Sequence, residues 1–255
     1  PKTKGIIPVH MAGEPCDMNE IKTICKDNKL ILVEDCAHAL GSKINDIHLG
    51  NFGISGCFSF YPTKQITTGE GGIVISNDQN VIEFISRHKA FGIDTPPEMR
   101  SKPGFYDVKG LGYNYRMTDF QAALGLSQLK RADLGVDQRR KIAKKYFESF
   151  KNKDYIINQS GYIEGHAYHL YVLEVKDRLN LYNYLRDNHI YAQIHYFPCH
   201  LMPYYKKFGW KKNDMPFSEE YYKNCISIPL YPNLGKDQNY IIKKINEFFL
   251  LINKQ

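Results

Sequence analysis

Short apolar runs and amphipathic stretches alternate along the first half of the chain. GIIPVH at 5–10 and LILVED at 30–35 are Ile- and Val-rich runs of strand length. Between them, MNEIKTICKDNK spaces Met18, Ile21 and Ile24 along one helix face. Strand, helix, strand in that order predicts a βαβ unit with parallel strands and a right-handed crossover. GCFSF (56–60) and GIVISN (72–77) are further strands, and DQNVIEFISRHKAFG (78–92) is a helix opened by Asp78 and closed by Gly92. From Ile93 to Arg116 the chain is Gly- and Pro-rich without periodicity, a long loop of the functional kind. MTDFQAALGLSQLKR (117–131) then opens with a capping box, Thr118 to Gln121, and is apolar on most sides, which predicts a well-buried helix.

The pattern changes near Asp133. GVDQRRKIAKKYFESF (135–150) reads as a polar, exposed helix. It leads to a strand YHLYVLEV (168–175), a helix RLNLYNYLRDNH (178–189) and a strand YAQIHYF (191–197). Helices FSEEYYKNCISI (217–228) and DQNYIIKKINEFFLLI (237–252) finish the chain. The expectation is an α/β protein of two domains, 1–135 and a smaller 136–255 in which helices cover one face of a short sheet.

Composition narrows the function classes. A hydrophobic fraction of 43% over 255 residues supports a large core and excludes a disordered chain. No apolar run spans a bilayer, and no basic-then-apolar leader opens the chain, so a cytoplasmic protein is expected. Six scattered cysteines without a C-x-x-C pair read as reduced thiols, with no metal site. The net charge of +7 is spread along the whole chain, which argues against a nucleic-acid surface and still favours an anionic small substrate. A basic binding protein with salt-dependent DNA retention is the rival on charge alone.

The candidate chemistry centres on FSFYPTKQITTGEGG, residues 58–72. A half-buried lysine loses part of its preference for charge, and its neutral amine attacks carbonyls, the requirement for a Schiff-base lysine. An isolated lysine is ordinarily a surface residue. Lys64 instead stands among the hydroxyls of Ser59, Thr63, Thr67 and Thr68 and the glycines 69, 71 and 72, which suit an aldehyde-bearing, phosphorylated pyridine. Asp35 ends a parallel strand, where open α/β sheets bind ligands, and a carboxylate there pairs with a protonated ring nitrogen. His38 shares its side if the chain turns into a helix after Asp35. Taken singly, Asp35 reads as an N-cap, His38 as a core histidine and the glycines as a turn.

VEDCAHALGS, FSFYPTKQITTGEGGIVISND and GYNYRMTDFQAALGLSQLKRAD together resemble the DegT/DnrJ/EryC1/StrS sugar aminotransferases, from about Lys4 to Leu250. The resemblance implies a fold-type I pyridoxal-phosphate-dependent transferase. Its architecture would be a three-layer α/β/α large domain, incomplete at its N-terminus, plus a smaller C-terminal α/β domain. It implies that Lys64 binds the cofactor and shuttles the proton, and that Asp35 keeps the pyridinium protonated. His38 would lie near the ring oxygen, Ser59 would bind the phosphate, and Asn114 would reach the phosphate of a neighbouring subunit, making a homodimer with shared sites. Lysine at 64 implies transamination, since relatives that remove a sugar hydroxyl carry His there. YAQIHYFPCHLMPYYKKFGW and MPFSEEYYKNCISIPLYPNL resemble the branch that aminates C4 of a UDP-linked 4-keto-6-deoxy-N-acetylhexosamine on the way to pseudaminic acid, with glutamate as donor. A dTDP- or GDP-linked keto-sugar is the alternative. Tyr61, Arg116, His195, Tyr196 and His200 are the candidate substrate contacts, with Tyr204 beside them, although aromatic-rich turns also serve as packing.

The chain departs from the family pattern at Tyr61 (commonly His), Cys36 (commonly Ala) and Gln65 (commonly Asn). The family's stretch before IIPVH, with its Gly-Thr-Ser-Ala turn, has no counterpart in these residues. A fragment, a truncated and inactive remnant, or one piece of a split enzyme is expected on that ground.

Overall fold

The computed structural model describes residues 2–95 and 101–252. Part of the predicted loop at 93–116, residues 96–100, lies outside the described residues. Two compact units divide the chain, Pro1–Asp133 and Leu134–Gln255. No described helix is long and apolar enough to cross a membrane.

In the first unit the described elements are β1 (Gly5–Ile6), α1 (Met18–Asp27), β2 (Ile31–Asp35), β3 (Lys43–Ile44), β4 (Ile47–His48), β5 (Ser55–Ser59), β6 (Gly72–Ile75), α2 (Gln79–His88) and α3 (Asp119–Leu129). The sheet order is β1-β2-β5-β6, parallel from β1 to β5 and antiparallel between β5 and β6. β1 is shorter than the run GIIPVH suggests, because Pro8 lacks an N–H to donate. Pairing resumes only as a bridge between Val9 and Asp35. Asp17 caps α1 through the Glu20 N–H at 3.0 Å, and Asp78 caps α2 through the Asn80 N–H at 2.8 Å. Met18, Cys25, Leu32, Cys36, Ala39 and Leu49 form the apolar core.

The predicted buried helix at 117–131 forms as α3 with its capping box in place, but it is not buried: Phe120 is 91% exposed, Leu126 64% and Leu129 55%. Its apolar residues lie all round the axis, so no single neighbour covers them.

The second unit contains α4 (Ala132–Phe150, whose first residues precede the division), β7 (Ile156–Gln159), β8 (Tyr171–Val175), α5 (Arg178–Asp187), α6 (Pro203–Lys206), α7 (Pro216–Asn224), β9 (Cys225–Ile228) and α8 (Asp237–Ile252). Its sheet is antiparallel in the order β7-β8-β9. Alternation along β8 turns Tyr171, Leu173 and Val175 to one face, where α4, α5 and α8 close over them.

Three sequence expectations change here. α4 is not an exposed helix: Val136, Arg139, Ala143, Tyr146 and Phe150 recur at helical spacing and are buried. The high Lys and Arg content obscures that stripe in the sequence. FSEEYYKNCISI is not one helix, since it ends at Asn224 and CISI becomes the buried strand β9. YAQIHYF makes no strand; it contributes one bridge, Gln193 to Ser227.

Arg139 pins this unit. Its side chain is 6% exposed, and its Nη1 donates to the carbonyls of Tyr168 at 3.1 Å, His169 at 3.3 Å and Leu230 at 3.0 Å. One guanidinium thereby joins α4 to the entry of β8 and the exit of β9. Burial pulls its pKa down to about 10, so it keeps its charge at neutral pH. Arg139→Met is expected to cost on the order of 2 kcal/mol, because three carbonyls lose a charged donor. Urea unfolding followed by amide exchange in β8 measures it, and an unchanged midpoint would refute the pinning role.

Candidate active site

Parallel β2 and β5 deliver their C-terminal ends to one edge of the sheet, where Asp35 stands in register with Cys57. β5 runs on through Ser59 into the loop that carries Lys64. Open parallel sheets place ligands at that edge. Asp35 is fixed by its main chain: its N–H donates to Pro8 O at 2.9 Å, and its carbonyl accepts the His10 N–H at 3.1 Å. Its Oδ1 accepts the Ala37 N–H at 2.9 Å, an Asx turn that leads into successive turns rather than the helix on which the His38 expectation was conditioned.

Those turns still bring His38 to the site. The His38 carbonyl accepts the Gln65 Nε2 amide, which ties the residue after Lys64 to the turn after Asp35. The His38 ring is buried, and its Nδ1 accepts the Ala12 N–H at 3.3 Å. In the sequence alone, Gln65 stands out only by its departure from the family's commoner Asn.

The loop holds its own shape. Lys64 N–H donates to Tyr61 O at 3.0 Å, Thr68 N–H to Phe60 O at 2.9 Å and Phe60 N–H to Gly71 O at 2.9 Å. The Thr67 hydroxyl donates to Phe60 O and the Thr68 hydroxyl to Glu70 O, so these two candidates shape the loop. Ser59 Oγ accepts the Tyr61 N–H at 3.3 Å, a role that leaves a hydroxyl its proton to donate. At Gly71, φ is +153° and a Cβ would run into the Thr68 hydroxyl, so this turn requires glycine. Gln121 of the capping box also donates to Glu70 O at 2.9 Å, anchoring the loop to the start of α3.

Lys64 is half-buried. Burial pulls its ammonium below the ordinary lysine value, and the Asp35 carboxylate pulls it partly back, so the two groups act on each other electrostatically. The neighbouring thiols go the other way. Burial and the charge of Asp35 push Cys57 up, and burial does the same for Cys36. Both thiols therefore stay protonated at neutral pH.

Tyr61, at 47% exposure, stands at the mouth of the loop. Asn114 and Arg116 are exposed elsewhere on this unit. Arg116 Nε donates to Asn114 Oδ1 at 3.3 Å, and its guanidinium lies 4.8 Å from the Phe91 ring centre. His195, Tyr196 and His200 belong to the second unit. There His195 Nδ1 meets Ser227 Oγ at 2.8 Å, His200 Nε2 meets Glu219 Oε1 at 2.9 Å, and Tyr196 is exposed.

A cleft of about 660 Å³ also lies in the first unit, between Phe58, Phe60, Ile73, Met117 and Leu126. It contains neither Lys64 nor Asp35, and its walls are almost wholly apolar. It offers hydrophobic cover rather than chemistry.

The profile of the DegT/DnrJ/EryC1/StrS aminotransferase family matches residues 1–246. The GDP-perosamine synthase of Escherichia coli O157:H7 is 36% identical over 252 residues, covering 97% of this chain and 66% of that protein. Among solved structures, PseC of Helicobacter pylori, an aminotransferase involved in the biosynthesis of pseudoaminic acid, superposes with a TM-score of 0.88 at 29% identity, over 96% of this chain and 67% of that one. Spr1654 of Streptococcus pneumoniae, described as a putative sugar aminotransferase and solved in its PMP form, gives 0.89 at 26% identity, over 95% and 68%. The fold is therefore that of the fold-type I aminotransferases. The chain spans 64–66% of the length of three curated relatives that it matches.

The balance at Lys64 has a signed consequence. Asp35 raises the lysine pKa and burial lowers it, so Asp35→Asn is expected to lower it further and enlarge the neutral fraction at pH 8. Competitive acylation across a pH series, read by peptide mass spectrometry on cofactor-free protein, would place the Lys64 midpoint lower in the variant. A midpoint that rises or stays fixed would show that the two groups are not coupled.

Proposed function

We propose the function from one premise: the chain belongs to the DegT/DnrJ/EryC1/StrS aminotransferase family. On that premise it is a pyridoxal-phosphate-dependent aminotransferase. It moves an amino group from glutamate to C4 of a nucleotide-linked 4-keto-6-deoxy sugar. The observation that carries this reading is Lys64, half-buried in the loop that follows β5, with burial drawing its pKa below the ordinary lysine value and the Asp35 carboxylate at the end of a parallel strand acting on it.

The residues fit the group. When bound, pyridoxal phosphate supplies an electron sink conjugated to the substrate nitrogen. Lys64 Nζ would hold the cofactor covalently and would take and return the substrate proton. The Asp35 carboxylate would keep the ring nitrogen protonated. His38 would lie beside the ring, and the Ser59 hydroxyl would donate to the phosphate. Asn114 reaches the phosphate in a partner subunit, so the working unit is a homodimer with shared sites. Exposed Phe120, Leu126 and Leu129 on α3 support an apolar interface of that kind. Tyr61, Arg116, His195, Tyr196 and His200 contact the nucleotide-sugar. The six free cysteines suit a reducing, cytoplasmic setting.

For the sugar we favour the UDP-linked N-acetylhexosamine, supported by the segments 191–210 and 215–234 and by the likeness to PseC. A GDP-linked sugar is the second reading, supported by the 36% identity to GDP-perosamine synthase.

Mixed with pyridoxal phosphate, the protein is expected to develop a visible absorbance band that Lys64→Ala removes. The same change should lower the amination rate by on the order of 10³, the scale of lost proton transfer. A band that survives Lys64→Ala defeats the assignment. A wild-type melt indifferent to the cofactor marks an inactive remnant. Single turnover with UDP- and GDP-linked 4-keto sugars side by side chooses the nucleotide. Light scattering is expected to give twice the chain mass of 29.6 kDa, reverting to one mass in Phe120→Glu.

A further inference from the structure

Next to Asp35, on the other face of β2, sits a charged residue that the reaction does not use. Glu34 is fully buried, and so is His10. Glu34 Oε1 accepts the N–H groups of Phe52 at 2.7 Å and Gly53 at 2.9 Å, while Oε2 accepts that of Gly50 at 2.8 Å and meets His10 Nε2 at 3.3 Å. His10 Nδ1 accepts the Cys16 N–H at 3.1 Å, which fixes the ring as the Nε2–H tautomer that donates to Glu34. The His10 main-chain N–H donates to the carbonyl of Asp35 itself. One histidine thus grips the strand end twice, through its ring at residue 34 and through its backbone at residue 35.

Nitrogen, oxygen and sulfur of His10, Glu34 and Cys36 lie within 4.8 Å of one another, close enough for a cation. The donors are already spent, however. Both carboxylate oxygens hold main-chain N–H groups, Nδ1 holds another and Nε2 faces Glu34, so a metal would compete with hydrogen bonds already made. The arrangement is a clamp. It binds the segment after β1, Cys16 ahead of α1, the strand end and the loop 50–53. That loop lies so close to β5 that a Cβ on Gly56, the register partner of Glu34, would collide with the Gly50 backbone.

We propose that His10 and Glu34 are positioning residues for the Asp35 carboxylate, setting where it meets the pyridine nitrogen of the cofactor. Alternation makes the two faces of β2 mechanically one object: holding Glu34 on the buried face fixes the height and tilt at which Asp35 leaves the opposite face. The inference rests on the cofactor assignment above and adds to it a pair of residues that touch neither cofactor nor substrate.

The test uses three variants of the full chain. His10→Phe keeps a ring and loses both side-chain hydrogen bonds. His10→Gln keeps an N–H that can reach Glu34, and Glu34→Gln turns an acceptor into a donor facing N–H groups. His10→Phe and Glu34→Gln are expected to weaken pyridoxal phosphate binding about tenfold and to move the pH midpoint of the bound cofactor's absorbance, as a displaced carboxylate would. His10→Gln is expected to restore both to within a few-fold of wild type. In cofactor-free His10→Phe, amide exchange should quicken at Asp35, Cys36, Gly50, Phe52 and Gly53 and stay unchanged in Tyr171–Val175. An unmoved pH midpoint in a folded His10→Phe, or a His10→Gln as impaired as His10→Phe, overturns the proposal. If His10→Phe does not fold, the same midpoint in Glu34→Gln decides it. A wild-type chain that binds no cofactor sinks the proposed function instead, and the clamp is then decided by the exchange arm alone.

Discussion

A buried carboxylate with all its hydrogen bonds made is the constraint around which the first unit is organised. Glu34 lies in the middle of an apolar environment, yet three main-chain N–H groups and a histidine surround it. Burial opposes its charge, but these donors outweigh burial and hold the carboxyl below the ordinary carboxylate range. Such a group tolerates no half measures. Removing a partner leaves a buried charged acceptor short of a donor, a loss of about 1.5–3 kcal/mol for each hydrogen bond to a charged group. The strand that carries Glu34 therefore has one register available to it, and Asp35 inherits that register.

From there the chemistry follows by geometry. Two parallel strands end side by side, one at Asp35 and the other running into the Lys64 loop, and the Gln65 amide closes the gap by bonding the turn after Asp35. The loop's hydroxyls divide between two tasks. Thr67 and Thr68 satisfy loop carbonyls, and the hydroxyl of Ser59 keeps a proton to give. Burial then lowers the Lys64 ammonium and the Asp35 carboxylate raises it partly back, in a partly dehydrated corner where charges interact more strongly than in water.

Much of this was legible in the sequence, and the failures share a cause. The βαβ start, the caps at Asp78 and Thr118 and the position of Asp35 at a strand end are local signals, written in a few adjacent residues. The burial of α4 was hidden because its apolar stripe of Val136, Ala143, Tyr146 and Phe150 is interleaved with lysines that face water and includes an arginine, Arg139, that does not. The switch from helix to strand at Cys225 depends on pairing with β8, a partner fifty residues upstream in sequence, roughly. Nor did any pattern reveal the clamp, since a histidine 24 positions from a glutamate has no sequence signature. A charged residue inside an otherwise apolar strand was the one available hint.

The two units reach order by different means. Among the described residues, the second gathers 21 buried apolar side chains into one cluster, whereas the first gathers six. In the first unit a hydrogen-bond network around Glu34 stands beside that cluster, and it suits a different task. An apolar core constrains volume and tolerates small shifts of one side chain past another, while a fully satisfied polar network fixes distances and angles. A carboxylate that must meet a ring nitrogen within hydrogen-bond reach needs the second kind of constraint. The clamp beneath β2 supplies it on the face away from the chemistry, where substrate and solvent cannot compete for its donors.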